Sequence, residues 1–145
     1  MAVVTYDPKE YSITYGGRSL SGFEDGTFIT VRRNNDMFAM KVGADGKGVR
    51  SKSNDRSGQV EIVLSQGSAD NEFLSELAIS DELANGGIRP FGMKDSSGSD
   101  LYASGGVWVK KMPDAPYAKE AGSRTWLLET DELEMFVGKN AQNNA

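Results

Sequence analysis

Apolar and polar residues alternate along most of the chain, which is the pattern of strands with one buried face. In the first half, strands are predicted at Tyr11–Tyr15, Phe28–Arg33, Phe38–Val42 and Gln59–Ser65. In the second half, strands are predicted at Ile88–Met93, Leu101–Val109, Ser123–Glu129 and Leu133–Val137. Pro90 cannot donate a ladder hydrogen bond, so its strand is predicted to be an edge strand or an irregular one.

A helical period occurs at one place in the chain. Apolar residues follow it at Phe73, Leu74, Leu77 and Ala78. Ser68 is the predicted N-cap, the acidic residues of the first turn favour the helix dipole, and Asn85-Gly86-Gly87 is a typical stop signal. The pattern therefore predicts a mainly β fold, an antiparallel sandwich or barrel of about seven or eight strands with one short helix.

Residues 43–58 interrupt the alternation with an extended polar segment. Two glycine-bearing turns enclose Val49-Arg50-Ser51-Lys52-Ser53, which is nearly devoid of apolar residues. The segment carries four basic and two acidic side chains, for a net charge of +2. Since an isolated two-stranded ribbon is marginal in water, the segment is either a loose surface loop or an arm that becomes ordered against another subunit.

The composition excludes most catalytic chemistry. The 145 residues include no cysteine and no histidine, so thiolate or histidine nucleophile systems and the usual zinc sites are impossible. Gly43–Gly48 lacks the Lys-Ser/Thr ending of a phosphate loop, and Asp95–Asp100 lacks the spacing of a calcium loop, so both are predicted to be turns. Trp108 and Trp126 are predicted to be core or interface anchors. We expect no enzyme activity, no cofactor and no metal.

The length predicts one domain, residues 1–139, followed by a flexible tail at residues 140–145. No apolar run reaches the roughly 20 residues that span a bilayer, and the N-terminus does not resemble a signal peptide. We therefore expect no membrane partner and synthesis in the cytoplasm of the producing cell.

The net charge of −5 comes entirely from the second half, because residues 1–70 carry nine side chains of each sign. Such a chain disfavours tight binding of nucleic acid. An acidic cluster near the C-terminus is either a solvated edge or the counterpart of the basic arm on another copy. The candidate inter-subunit contacts are Lys47, Arg50, Lys52 and Arg56 with Glu129, Asp131, Glu132 and Glu134.

Two stretches carry a resemblance to a known family. They are VGADGKGVRSKSNDRSGQVEIVLSQGSADNEFLSEL, from Val42 to Leu77, and YAKEAGSRTWLLETDELEMFVG, from Tyr117 to Gly138. The Gly-Ala-Asp-Gly turn, the Asp-Arg-Ser-Gly turn and the Ser-Ala-Asp-Asn helix start are similar to those of tail-tube proteins of contractile-tailed bacteriophages and prophages. Ala69 stands where that family often has proline.

The resemblance implies a subunit that forms stacked hexameric rings inside a contractile sheath. The lumen would conduct DNA into the host without binding it specifically, and residues 44–57 would bridge subunits or rings. The implied partners are further copies of the chain, the tail sheath protein, and the baseplate and tail terminator proteins, and the implied location is the virion tail. The alternative from the residues alone is a monomeric β-sandwich module that binds a carbohydrate or peptide through its loops.

Overall fold

A computed structural model of the chain describes residues 3–96, 100–138 and 142–144. The first six strands are β1 (Val3–Thr5), β2 (Tyr11–Tyr15), β3 (Arg18–Ser19), β4 (Ile29–Arg33), β5 (Phe38–Val42) and β6 (Gly48–Lys52). The last six are β7 (Gly58–Ser65), β8 (Arg89–Asp95), β9 (Leu101–Lys111), β10 (Ser123–Thr130), β11 (Glu134–Phe136) and β12 (Gln142–Asn144). A short 3-10 helix spans Pro8–Glu10, and the α-helix α1 spans Asp70–Ala84. The predicted mainly β, antiparallel fold with one α-helix is confirmed.

Eight strands form one antiparallel sheet in the order β3-β2-β8-β9-β10-β7-β4, with β11 also paired to β9. β10 and β11 follow each other along the same side of β9, because Thr130 pairs with Val107 and Glu134 with Ala103. The remaining strands form two small sheets, β1 with β12 and β5 with β6.

One hydrophobic core joins residues from strands far apart in the sheet order. Buried side chains come from β2, β7, β8, β9, β10 and α1, and the fully buried ones include Tyr15, Ile62, Leu74, Val107 and Trp126. A flat sheet cannot bring β2 and β7 into one cluster, so the sheet curls around this core. The stripe of α1 predicted from the sequence packs into it, with Leu74, Leu77 and Ala78 buried.

Strand β8 lies inside the sheet, between β2 and β9, so the prediction of an edge strand is wrong. The predicted irregularity is present, because the pairing register between β8 and β9 shifts between Arg89 and Phe91. Pro90 stands at this shift, where its missing N–H breaks no regular ladder bond, and its carbonyl accepts from Gly16 N at 2.9 Å.

The start of α1 differs from the sequence prediction. The helix begins at Asp70 with Ala69 at the N-cap position, although Ser68 Oγ still accepts a 3.3 Å bond from Asp70 N. The Asp70 carboxylate is buried, pairs with Arg18 Nε at 2.6 Å and accepts from Ser21 N at 2.6 Å. At the other end Asn85 takes the left-handed conformation (φ 55°) and ends the helix as predicted.

The predicted flexible tail lies partly outside the described residues. Its described part, β12, pairs antiparallel with β1. No helix among the described residues is long and apolar enough to cross a bilayer.

Candidate interaction surfaces

Strands β5 and β6 form a two-stranded hairpin that is separate from the main sheet. The chain leaves the sheet at Arg33 and returns at Gly58, and these two residues are paired. The predicted arm at residues 43–58 is therefore only part of the projecting element, since β5 belongs to the same hairpin. We refer to Phe38–Lys52 as the hairpin below.

The base of the hairpin is fixed by hydrogen bonds to its own loops and to the segment after β10. Arg33 Nε donates to Leu133 O at 2.9 Å, and Asn34 N donates to Ser57 O at 3.1 Å. The Asp55 carboxylate accepts from Ser57 N at 2.9 Å and also from Asn35. These hydrogen bonds, those from Ser57 first, lower the pKa of Asp55 below its ordinary value.

The tip of the hairpin is a tight turn, as predicted for Gly43–Gly48. Gly43 N donates to Lys47 O at 2.8 Å, and Gly46 N donates to Gly43 O at 3.0 Å. Gly46 has a φ of +83°, which a residue with a side chain would adopt at a cost. The turn thus closes with local bonds, and the backbone amides of Gly43 and Gly46 are occupied rather than free for a phosphate.

One face of the hairpin is both apolar and basic. Phe38, Met40 and Val42 alternate onto it from β5, and their cross-strand partners on β6 are Lys52, Arg50 and Gly48. All six residues are exposed, and the exposed fraction of Met40 reaches 74%. Arg50 Cζ lies 4.1 Å from the centroid of the Phe38 ring, a cation–π contact that holds the guanidinium over this face.

The sequence pattern predicts no apolar face for residues 43–58 and places Phe38, Met40 and Val42 in a strand of the domain. The alternation correctly predicts a strand, but the apolar face of such a strand is buried only where other elements of the fold cover it. We call the set of Phe38, Met40, Val42, Arg50 and Lys52 the hairpin patch.

The predicted basic contact residues divide into two groups. Among the described residues, no ion pair involves Lys47, Arg50 or Lys52, and all three side chains are exposed on the hairpin. Arg56 instead lies at the hairpin base, where its Nη1 is 3.5 Å from Glu132 Oε1 of the same molecule. The two residues also form an isolated parallel bridge, and Leu133 N donates to Arg56 O at 2.9 Å.

The acidic cluster predicted as a counterpart does not form one free edge. Glu129 lies on β10 and pairs with Lys110 Nζ at 3.2 Å, and Glu132 pairs with Arg56. Asp131 and Glu134 are exposed and have no ion pair among the described residues. The role of these eight residues between subunits stays a prediction.

The outer surface of α1 is a second exposed patch, which the sequence pattern does not distinguish from other solvated helix faces. Glu72, Glu76, Ile79 and Leu83 follow one another along the side of the helix opposite to the core, and all four are exposed. The exposed fraction of Leu83 is 82%. The helix contains five acidic residues and no basic one, so the helix patch, as we call these four residues, is apolar and acidic.

The outward side of β4, β7 and β10 is a third surface, here called the polar sheet face. Its side chains alternate with the buried ones and include Thr30, Arg32, Gln59, Glu61, Thr125 and Glu129. Arg32 Nη1 lies 3.2 Å from Glu61 Oε2 and also donates through Nη2 to Gln59 Oε1 at 3.0 Å. Lys110 pairs with Glu129 on this face, whereas the exposed Lys111, which is opposite Leu127, has no ion pair among the described residues.

The described residues hold no group of three or more histidine, cysteine or acidic side chains arranged to bind a metal ion. Every buried side-chain polar atom described has a hydrogen-bond partner. The pKa of Tyr15 is raised from 10.0 to about 12, first by burial, and its hydroxyl donates to Val107 O at 2.8 Å. Because Tyr15 has no access to solvent, its role is structural: its hydrogen bond links β2 to β9.

Comparison with known proteins identifies the family. The family described as "Bacteriophage PhiTE tail tube protein" matches residues 10–138, nearly the whole chain. "Structural protein ORF10" of Pseudomonas phage KPP10 is 27% identical over 144 residues, a region that covers 94% of this chain and 83% of that protein.

Solved structures from contractile injection systems share the fold at 8–9% identity. The tube-terminating cap of the anti-feeding prophage has a TM-score of 0.60, with 92% of this chain and 91% of that chain covered. The sheath/tube terminator of an extracellular contractile injection system has a TM-score of 0.61, with 90% and 96% covered. A chain of the sheath-tube complex of that system in its extended state has a TM-score of 0.59, with 91% and 92% covered.

The match over residues 10–138 agrees with the turn and helix-start motifs quoted above and with the antiparallel fold. The matched proteins are structural components of phages, so no enzyme activity is assigned to this chain. The chain belongs to the PhiTE tail tube protein family of bacteriophages.

Proposed function

We propose that this chain is the repeating subunit of a phage tail tube, which forms hexameric rings that stack into a hollow cylinder and conduct DNA into the host. The observation that carries the proposal is the hairpin patch, whose apolar and basic side chains have no cover in the single molecule. Exposed apolar groups on a two-stranded ribbon gain stability only when another surface covers them. A second copy of the chain supplies such a surface in every tube.

The polar sheet face suits the wall of the lumen. DNA passes along a wall without being held when the wall presents few free cations, since free lysine and arginine attract phosphates. Arg32 and Lys110 are paired with Glu61 and Glu129, each at 3.2 Å, and Lys111 is the unpaired cation beside them among the described residues. The lumen in this proposal is lined mainly by paired charges, rather than acidic as the net charge of −5 alone suggests.

The proposal extends to the partners and to the organisation of the chain. Residues 1–139 form the tube domain, with residues 140–145 as a C-terminal tail. The structures that share the fold include a sheath-tube complex and a sheath/tube terminator, which supports contacts with tail sheath and terminator proteins. A baseplate complex would start the stack. The subunit is made in the host cytoplasm and resides in the virion tail.

The test is assembly of the purified protein. Hollow, regularly striated filaments or rings in electron micrographs of the concentrated protein support the proposal. Arg50→Glu with Lys52→Glu is expected to block assembly, because reversed charges would face the acidic partner surface, while circular dichroism and urea unfolding stay unchanged. The matched control is Lys9→Glu with Lys94→Glu, which reverses two exposed charges outside the hairpin.

The competing function is a monomeric binding module. It predicts a single monomeric species in sedimentation velocity at every concentration and in the presence of tail initiation complexes. That result would overturn the tube proposal. Normal assembly of the Arg50→Glu, Lys52→Glu variant would remove only the electrostatic role of the hairpin.

A further inference from the structure

Two exposed surfaces of this chain are complementary in charge and both contain uncovered apolar side chains. The hairpin patch carries Arg50 and Lys52 beside Met40 and Val42, and the helix patch carries acidic residues beside Ile79 and Leu83. No ion pair involves Glu72, Glu76, Arg50 or Lys52 among the described residues. Each surface therefore has both charges and apolar area available for a partner.

The two patches are attached to opposite ends of one strand. The hairpin rejoins the sheet at Gly58, the first residue of β7, whereas α1 starts shortly after Ser65, the last residue of β7. A strand of this length spans about 25 Å. Asp70, held by Arg18 and Ser21, fixes the start of α1 at one end, and Arg33, bonded to Leu133 O, fixes the hairpin base at the other.

The spacing of side chains along the two patches agrees. Successive levels of the hairpin patch, Phe38 with Lys52, Met40 with Arg50, and then Val42, are separated by about 7 Å. On the helix, Glu76, Ile79 and Leu83 lie about 6, 10 and 16 Å from Glu72 along the axis. When Lys52 is placed opposite Glu72, Arg50 faces Glu76, Met40 lies next to Ile79, and Val42 lies next to Leu83.

We infer that the hairpin patch of one copy docks on the helix patch of the next copy. The contact is heterologous, because two different surfaces meet, so it repeats from copy to copy and produces a stack or ring rather than a closed dimer. This inference rests on the proposed self-assembly and specifies the receiving surface. It favours the helix patch over the segment Glu129–Glu134 as the counterpart of the arm, since Glu129 and Glu132 already pair within their own molecule and only Asp131 and Glu134 of the predicted acidic contacts have no ion pair among the described residues.

Disulfide trapping tests the contact directly, because the natural chain has no cysteine. Met40→Cys protein and Ile79→Cys protein are mixed, allowed to assemble and mildly oxidised, and the products are identified by mass spectrometry. We expect the main product to be the disulfide between position 40 of the Met40→Cys chain and position 79 of the Ile79→Cys chain, since a disulfide forms only when the two Cα atoms approach within about 7 Å. The matched control is Ser51→Cys with Ile79→Cys, because Ser51 is exposed on the opposite face of the hairpin.

A charge exchange gives an independent readout. Arg50→Glu with Lys52→Glu, and separately Glu72→Lys with Glu76→Lys, are each expected to block assembly at the concentration at which the wild-type protein assembles, because each raises the required protein concentration by about tenfold or more. The chain that carries all four substitutions is expected to recover most of that loss, because opposite charges face each other again.

The outcomes separate the two proposals. The docking site is overturned, with the tube function intact, if tubes assemble but Met40→Cys and Ser51→Cys form the disulfide with Ile79→Cys equally well. The same conclusion follows if the chain with all four charge substitutions does not recover assembly. A wild-type protein that never assembles overturns the tube function and the docking site together. If the main product is instead a disulfide that joins two Met40→Cys chains at position 40, the heterologous arrangement is overturned.

Discussion

Asp70 places a carboxylate at the boundary between the core and the first turn of α1, where its exposed fraction is 2%. The sequence identified it only as an acidic residue that favours the helix dipole. Its two 2.6 Å contacts, with Arg18 Nε and Ser21 N, tie the loop after β3 to the helix, and these partners lie about fifty positions earlier in the chain. A local pattern cannot reveal such a contact, because the fold alone brings the residues together.

Asp70→Asn is expected to lower the free energy of unfolding by about 2 kcal/mol, because the neutral amide weakens two hydrogen bonds to a charged acceptor. Urea unfolding followed by tryptophan fluorescence measures this change. The matched control Glu82→Gln, in the same helix and exposed, should change the value by no more than about 0.5 kcal/mol. Equal losses in the two variants would contradict a structural role for the buried carboxylate.

The burial of Tyr15 leads us to expect that the stability of the fold decreases at alkaline pH. Its pKa is raised from 10.0 to about 12 in the folded protein, chiefly by burial. The unfolded chain therefore releases the phenolic proton first as the pH rises, so stability is fully present below pH 10 and is lost as the pH rises through 12. Burial, together with the hydrogen bond to Asp100, also raises the pKa of Tyr11, which adds to the same decline.

Tyr15→Phe should cost about 1 kcal/mol at pH 8, through the lost bond to Val107 O, and should make the alkaline decline shallower. Urea titrations at pH 8 and pH 11 measure both effects. Tyr117→Phe, at an exposed position, is the control and should leave the profile unchanged. If the stability of the Tyr15→Phe variant falls as steeply at alkaline pH as that of the wild type, ionisation of Tyr15 on unfolding is not the cause of the decline.

At the scale of elements, α1 and the strands of the main sheet other than β3 follow from the sequence with small shifts of their ends. Two strands, β8 and β5, differ from the prediction in their placement, and both differences have one cause, since the position of a strand in a sheet is set by distant partners. β8 resembles an edge strand because of Pro90, yet β2 and β9 enclose it and the register shift accommodates the proline. β5 has the alternation of a core strand, yet β6 is its only strand partner among the described residues.

The hairpin is expected to exchange its amide hydrogens quickly in the monomer and slowly in the assembled tube. A lone two-stranded ribbon opens readily, and cover by a second copy would suppress that opening. Hydrogen exchange with mass spectrometry on peptides that cover residues 38–52 measures the difference. Peptides from β7 and β10, buried in the sheet, are the internal control and should be protected in both states; strong protection of the hairpin in a verified monomer would contradict this expectation.

At the scale of the whole molecule, the net charge does not describe any one surface. The helix patch is acidic and the hairpin patch is basic, whereas the polar sheet face balances most of its charges through the pairs Arg32–Glu61 and Lys110–Glu129. In the proposed tube, assembly and DNA passage would thus depend on how the charges are distributed over the fold. The sum of −5 contributes mainly to solubility.

Glu61→Gln with Glu129→Gln leaves Arg32 and Lys110 without their carboxylates. If the polar sheet face lines the lumen, phages carrying this variant should assemble tails normally but eject DNA several-fold more slowly at low salt, because free cations attract phosphates. Ejection is timed by dye fluorescence, and added salt should restore the rate. Asp36→Asn with Glu120→Gln removes two exposed negative charges elsewhere and is the control; unchanged ejection in the first variant would exclude this face from the lumen.

The sequence by itself determined the local conformations and the chemistry that the chain lacks. The periodicity of apolar residues and the turn-forming residues are properties of neighbouring positions, so most strands, the helix and the Gly43–Gly48 turn follow from them. The sequence alone also shows that the 145 residues include no histidine or cysteine. Only the tertiary structure decided the strand order, the cover over each apolar face and the partner of each charge. Those properties depend on residues far apart in the chain, which is why Met40 and Ile62 have the same alternating pattern but only Ile62 is buried.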